Sequence, residues 1–167
     1  VIDGVIEKVD TSRLPARIRD RVAAMLAPLV GETGLTLARI ERPLLLAGDL
    51  PGTRLRSTLT PGERPGGTIL VLEADHDLIT GVVTLDNNLS PSLGRVALGL
   101  GFDLNSPTAN GEQVYFRMSG WPGEGSDNFF DEYARNRLFA LGTVIPLGLG
   151  GWTLNLEATQ SRTTPVS

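Results

Sequence analysis

Arg95-Val96-Ala97-Leu98-Gly99-Leu100-Gly101-Phe102-Asp103-Leu104 decides how the rest of this 167-residue chain is read. Every even position is bulky and apolar, while the odd positions carry Arg, Ala, Gly, Gly and Asp. A period of two is the signature of a strand with one greasy face, here Val96, Leu98, Leu100, Phe102 and Leu104, and one small or charged face. Past a turn region at 105–111 the pattern resumes, with Val114, Phe116 and Met118 set against Gln113, Tyr115, Arg117 and Ser119. Together the two runs predict a long hairpin. Soluble strands usually run to about five or six residues, and a tilted strand crossing a bilayer needs roughly nine to eleven. These runs fit the longer class. The alternation itself serves equally for a soluble sandwich or barrel and for a transmembrane barrel.

Composition narrows the field. The chain has 20 glycines and 11 prolines, which implies many turns, and a formal charge of −4 with no basic run, which argues against a nucleic-acid surface. With no cysteine there is no disulfide scaffold, thiolate metal site or cysteine nucleophile. No uninterrupted apolar run is long enough for a helical membrane span, a test that an alternating barrel strand escapes. The chain opens at Val1 without a charged-then-apolar leader and is read as a processed or cut piece.

From the N-terminus, residues 1–9 read as a short strand interrupted by Gly4, with Thr11 or Ser12 as N-cap of a second element, a helix. Leu14, Ile18, Val22, Met25, Leu26 and Leu29 recur at spacings of three and four, and Arg17, Arg19, Asp20 and Arg21 are assigned to a solvated opposite face. Gly31 and Gly34 end this helix. Another starts near Thr36 with Leu37, Ile40, Leu44 and Leu45 inward, and Pro43 predicts a kink or restart. Residues 53–60 and 68–74 are strands flanking a glycine-rich turn. Downstream no helical period survives: 78–86 is a strand ending in Asp86-Asn87-Asn88, the long hairpin comes next, 121–131 is a loop, 135–146 is a strand, and Trp152, Leu154, Leu156 and Ala158 alternate with Thr153, Asn155, Glu157 and Thr159. The fold class is therefore α+β: residues 1–77 form a β-α-α-β-β domain, and residues 78–167 supply about five antiparallel meander strands.

The run Glu41-Arg42-Pro43-Leu44-Leu45-Leu46-Ala47-Gly48-Asp49-Leu50-Pro51-Gly52, with Leu59-Thr60-Pro61-Gly62 after it, resembles the last POTRA domain of two-partner secretion transporters, which export haemolysins and filamentous haemagglutinins. Leu85-Asp86-Asn87 sits where that family ends its first barrel strand. Gly94-Arg95, the Asn105 turn with Gly111, and Val144-Ile145-Pro146-Leu147-Gly148 before Gly151-Trp152 come in the family's order. Two departures are Asp103-Leu104-Asn105 in place of adjacent Asp and Asn, and Gly111-Glu112 in place of Gly-Asp. The resemblance covers essentially the whole chain and lies in the order of elements. It implies one POTRA domain plus the first strands of a longer outer-membrane barrel, with the POTRA domain in the periplasm.

The resemblance further implies a non-enzymatic transporter with no cofactor and no metal, whose partners are an unfolded secreted client of haemolysin or adhesin type and outer-membrane lipid. Val96, Leu98, Leu100, Phe102, Val114, Phe116, Met118, Trp152, Leu154 and Leu156 would then face lipid, with Trp121 and Trp152 at the interfaces, and Arg117, Asn155 and Glu157 would face the lumen. The strand residues Arg54, Leu55, Arg56, Ser57, Thr58 and Leu59, if they lie at a sheet edge, could accept an extended client segment through free main-chain groups. His76, flanked by Asp75 and Asp77, reads as a solvent-exposed linker histidine. Asp127, Asp131 and Glu132 lack the calcium-loop spacing. The fragment is expected to self-associate through its open strands. A related outer-membrane insertase and a soluble α+β ligand-binding protein are the alternatives.

Overall fold

The computed structural model describes residues 4–123 and 128–164. Asp127, like the first three residues of the expected N-terminal strand, lies outside them. A three-stranded sheet is built from β1 (Val5–Arg13), β2 (Thr53–Pro61) and β3 (Gly67–His76), in the order β1-β3-β2. The β1 pairing is parallel and the β2 pairing antiparallel. Helices α1 (Ala16–Leu26, continued by a 3₁₀ turn) and α2 (Leu37–Gly48) connect β1 to β2. A five-stranded meander comes next, β4 (Ile79–Asp86), β5 (Ala97–Asn105), β6 (Gln113–Gly120), β7 (Asn136–Leu147) and β8 (Trp152–Thr163), in sequential order. The fold is thus α+β, a β-α-α-β-β element and then an antiparallel meander.

The α1 helix forms because Ile18, Val22 and Leu26 fall at i, i+4 and i+8, and all three are buried. They share one core with Leu70 and Leu72, the same-face pair of central strand β3, and with Ile40 and Ala47 of α2. Each of the valine, leucine and isoleucine side chains contributes roughly 1.5–3 kcal/mol by leaving water.

Three local expectations change. Strand β1 continues through two register shifts to Arg13, which pairs with Glu73, so Thr11 and Ser12 belong to the strand. The N-cap is Pro15, at φ −54° and ψ 138°, which has no N–H to satisfy. Helix α2 runs through Pro43 without restarting. The Arg39 carbonyl that loses its partner lies on an exposed turn, where water can replace it. Finally, the inner face of α2 is Ile40, Leu44 and Ala47, whereas Leu37 and Leu45 are 62% and 66% exposed. Leu45 comes one residue after Leu44, a rotation of about 100° that carries it off the buried stripe.

The described residues fall into two compact units. One runs through Leu78 and takes in Asn105–Glu112 and Ile145–Leu154; the other holds Ile79–Leu104, Gln113–Val144 and the chain from Asn155 on. In the meander, Val83, Leu85 and Trp152 stay 70%, 73% and 77% exposed, in contrast to the sealed core beneath the helices. No helix among the described residues is long and apolar enough to cross a membrane.

Candidate functional site

Strand β2 pairs with β3 along its full length, Arg54 opposite Asp75 through Leu59 opposite Leu70. In the sheet order it is an outer strand, so its other side carries a free row of backbone donors and acceptors. Alternation divides its residues. Leu55, Ser57 and Leu59 face the helices with Ala74, Leu72 and Leu70, while Arg54, Arg56 and Thr58 lie on the opposite surface, where Arg54 Nη1 donates to Asp77 Oδ2 at 2.9 Å.

Beside this edge lies a groove of about 490 Å³ lined by Leu55 and Ser57 of the strand and by Glu41, Leu44, Leu45, Gly48 and Asp49 of α2 and its C-cap. Sequence reasoning identified the strand and missed the helix wall. The signal lies in Glu41, Leu45 and Asp49 at i, i+4 and i+8, a row that the inward placement expected of Leu45 hides.

Helix α1 has a different role from the solvated surface expected of its charges. Arg17 Nη1 donates to the carbonyls of Ser106 and Pro107 at 3.1 and 2.8 Å, and Arg21 Nη2 donates to the Gly148 carbonyl at 2.6 Å. The β5–β6 loop and the β7–β8 turn are thus held in the same compact unit as the helices. Gly111 (φ +78°) is required here, because a Cβ would come within 2.7 Å of Leu50 Cδ2 and 2.8 Å of Arg21 Nε. Within the loop Ser106 is fully buried at φ +49°, a left-handed conformation that disfavours L-residues. Glu112 folds back on it: Oε1 accepts from the Thr108 N–H and Oε2 from the Asn110 N–H at 3.0 Å. Partial burial raises the Glu112 pKa, but these hydrogen bonds outweigh it and hold the carboxyl below the usual glutamate range. Asn105, also fully buried, donates from Nδ2 to the Asp77 carbonyl at 2.9 Å. His76 is not a linker residue. It ends β3 half-buried, with Nδ1 3.2 Å from Thr53 Oγ1.

In the meander the two faces separate as the alternation predicts. Leu98, Leu100 and Phe102 pair with Leu85, Val83 and Gly81 on one face. Phe116 and Met118 pair with Leu141 and Phe139, and the Phe116 and Phe139 rings stack at 6.4 Å. Val114 lies opposite Thr143, and Trp152, Leu154 and Leu156 are exposed on β8, as is every other residue of that strand. Val96 precedes β5, after Arg95 at φ +61°. Trp121 is half-buried, with the Arg135 guanidinium 5.7 Å from its ring centroid.

The opposite face brings Arg117, Asn155 and Glu157 into one network through a residue to which sequence reasoning gave no role, Tyr115. Arg117 Nη2 donates to Asp103 Oδ1 at 2.6 Å, and its guanidinium lies 5.2 Å from the Tyr115 ring centroid. Tyr115 Oη reaches both Asn155 Oδ1 (3.1 Å) and Glu157 Oε2 (2.7 Å) on β8. Tyr115 must cross the intervening strand β7 to do so, and it lies over Gly142, its direct cross-strand partner, where a Cβ would collide with the phenol ring. This face is a polar wall joined across strands by side chains. Among the described residues no three His, Asp or Glu side chains gather to hold a metal.

Solved structures that share this fold include two outer-membrane proteins named CdiB. CdiB from Escherichia coli superposes with a TM-score of 0.65 and 22% identity over 96% of the present chain, and CdiB from Acinetobacter baumannii with a TM-score of 0.57 and 16% identity over 95%. The chain spans 28% of the length of each. No protein-family model matches the sequence, and no curated protein matches it.

Proposed function

We propose that this chain is the receiving domain and the opening strands of an outer-membrane exporter of the two-partner secretion kind. In this reading residues 1–77 are a periplasmic POTRA-like domain, and residues 78–167 begin a transmembrane barrel. The domain takes up an unfolded secreted partner of haemolysin or adhesin type by adding one of its segments to β2. The barrel passes that partner outward without hydrolysing a nucleotide.

The observation that carries the reading is the combination, in one chain, of a free edge strand beside a groove with a meander whose apolar face is open and whose other face is polar. Apolar patches of that extent on a water-soluble monomer are uncommon, whereas lipid covers them at no desolvation cost. The alternative of a soluble ligand-binding protein requires those side chains to be sealed, and Phe102, Leu85 and Trp152 are 55%, 73% and 77% exposed. The fold shared with the two CdiB structures supports the same assignment.

The test is made in the full-length exporter with Ser57→Pro and Thr58→Pro. Adjacent residues of a strand send their N–H groups to opposite sides, so one proline removes a donor facing β3 and the other a donor facing the free edge. The edge-side variant is expected to assemble normally in the membrane and to bind the partner about tenfold more weakly, the equivalent of one good main-chain hydrogen bond. Undiminished partner binding by that variant would refute the role of β2.

A further inference from the structure

The edge and groove also specify a chemistry for what they receive. Resting on the reading of β2 as the receiving edge, we propose that the groove selects extended segments in which one apolar side chain is flanked at alternate positions by two basic ones, that is, basic–x–apolar–x–basic.

Glu41, Leu45 and Asp49 lie at i, i+4 and i+8 of α2, one above another along the outer lip of the groove. A step of four residues in a helix rises about 6.0 Å, and a step of two residues in a strand advances about 6.4–6.8 Å. A strand added beside β2 therefore presents its helix-facing side chains at nearly the interval at which the lip presents carboxylate, leucine, carboxylate. The centre of that lip is apolar and open, since Leu45 is 66% exposed and stands with Leu44 and Leu55 around the cavity. Its two ends are acidic.

Both carboxylates are available. Neither Glu41 nor Asp49 takes part in an ion pair or side-chain hydrogen bond among the described residues, and no basic side chain lines the groove. Asp49 is moreover the C-cap of α2, so the negative end of the helix dipole reinforces its preference for a cation. The arginines of β2 itself, Arg54 and Arg56, lie on the other surface of the sheet and do not cancel this charge. An incoming acidic segment would meet the lip with like charge at two points.

The full-length exporter in detergent is titrated with two fluorescent peptides of identical alternation and length, one Lys-Ser-Leu-Ser-Lys and one Glu-Ser-Leu-Ser-Glu at its centre. The basic peptide is expected to bind about three- to tenfold more tightly at low salt, the range for two solvent-exposed ion pairs, with the preference fading toward 1 M salt. The exchange Glu41→Lys with Asp49→Lys, both on exposed positions, is expected to invert the preference. Leu45→Ser should weaken both peptides. If both bind equally and the edge-side proline variant of β2 weakens both about tenfold, the charge selectivity is overturned while the edge reading stands. If neither binds and that proline variant leaves partner binding untouched, the edge reading falls and this proposal with it. Occupation of β2 by a second copy of the exporter, seen as cross-linked dimers that exclude peptide, would also overturn it.

Discussion

Gly142 shows how much a single missing side chain can decide. Tyr115 reaches β8 only because its strand partner on β7 has no Cβ. Gly142→Ala is expected to lower the stability of the folded sheet by about 1–3 kcal/mol, the usual cost of overpacking. In a double-mutant cycle with Tyr115→Ala the effects should be strongly non-additive, as read from denaturant midpoints. Glu112 offers a second residue-level test. A carboxyl whose pKa is depressed in the folded chain adds stability that is complete above the ordinary glutamate value of about 4.3 and is lost as pH falls through the depressed value. Hydrogen exchange at Thr108 and Asn110 should therefore show the loop opening as the solution is acidified below about pH 4. Glu112→Gln should show weaker protection at pH 7 and little further change on acidification. Unaltered exchange in that variant would remove Glu112 as the loop's tie.

Among the elements, α1 carries two tasks on two faces. Its apolar stripe closes the core, and its arginines grip main-chain carbonyls of the β5–β6 loop and the β7–β8 turn. Hydrogen bonds from a charged donor are worth about 1.5–3 kcal/mol when shielded and less when wet. Arg17 is the more shielded of the two contacts, so Arg17→Ala is expected to loosen the 105–112 loop by about 1–2 kcal/mol and Arg21→Ala the 148–151 turn by less. Limited proteolysis of the full-length protein should report this as faster cleavage at those segments, with Arg17→Lys a partial rescue. Cleavage at the parental rate in the double variant would show that the arginines hold nothing in place. The strands flanking these loops were legible from their alternation alone. The grip was not, because Arg17 and Arg21 sit at the same periodic positions that a solvated surface would occupy.

At the scale of the molecule, an open meander leaves β4 and β8 as unpaired ends of the sheet, each a template for another strand. The 167-residue chain, produced by itself, is expected to self-associate or to carry bound detergent. Multi-angle light scattering checks this, and a strictly monomeric, detergent-free species would contradict it. The same openness explains why the meander has few buried apolar side chains, among them Ala140 and the aromatic body of Tyr115, while the helical half buries a dozen residues in one core.

Periodicity is local, and it determined what is local: a period of two marked Leu98, Leu100 and Phe102 as one face of β5, and spacings of three and four marked Ile18, Val22 and Leu26 as the buried stripe of α1. The same order of elements carried the resemblance to a POTRA domain and the start of a barrel. Which strand would have a free edge, and which helix would wall the groove beside it, depended on pairing between segments far apart in the chain. Only the tertiary structure placed β3 in the centre and left β2 outside. Likewise only folding brought Arg17 to Ser106, 89 residues away, and Tyr115 over Gly142 to Glu157. An alternation pattern states which way a side chain points relative to its own backbone; what it meets there is set by chain closure, which no single stretch encodes.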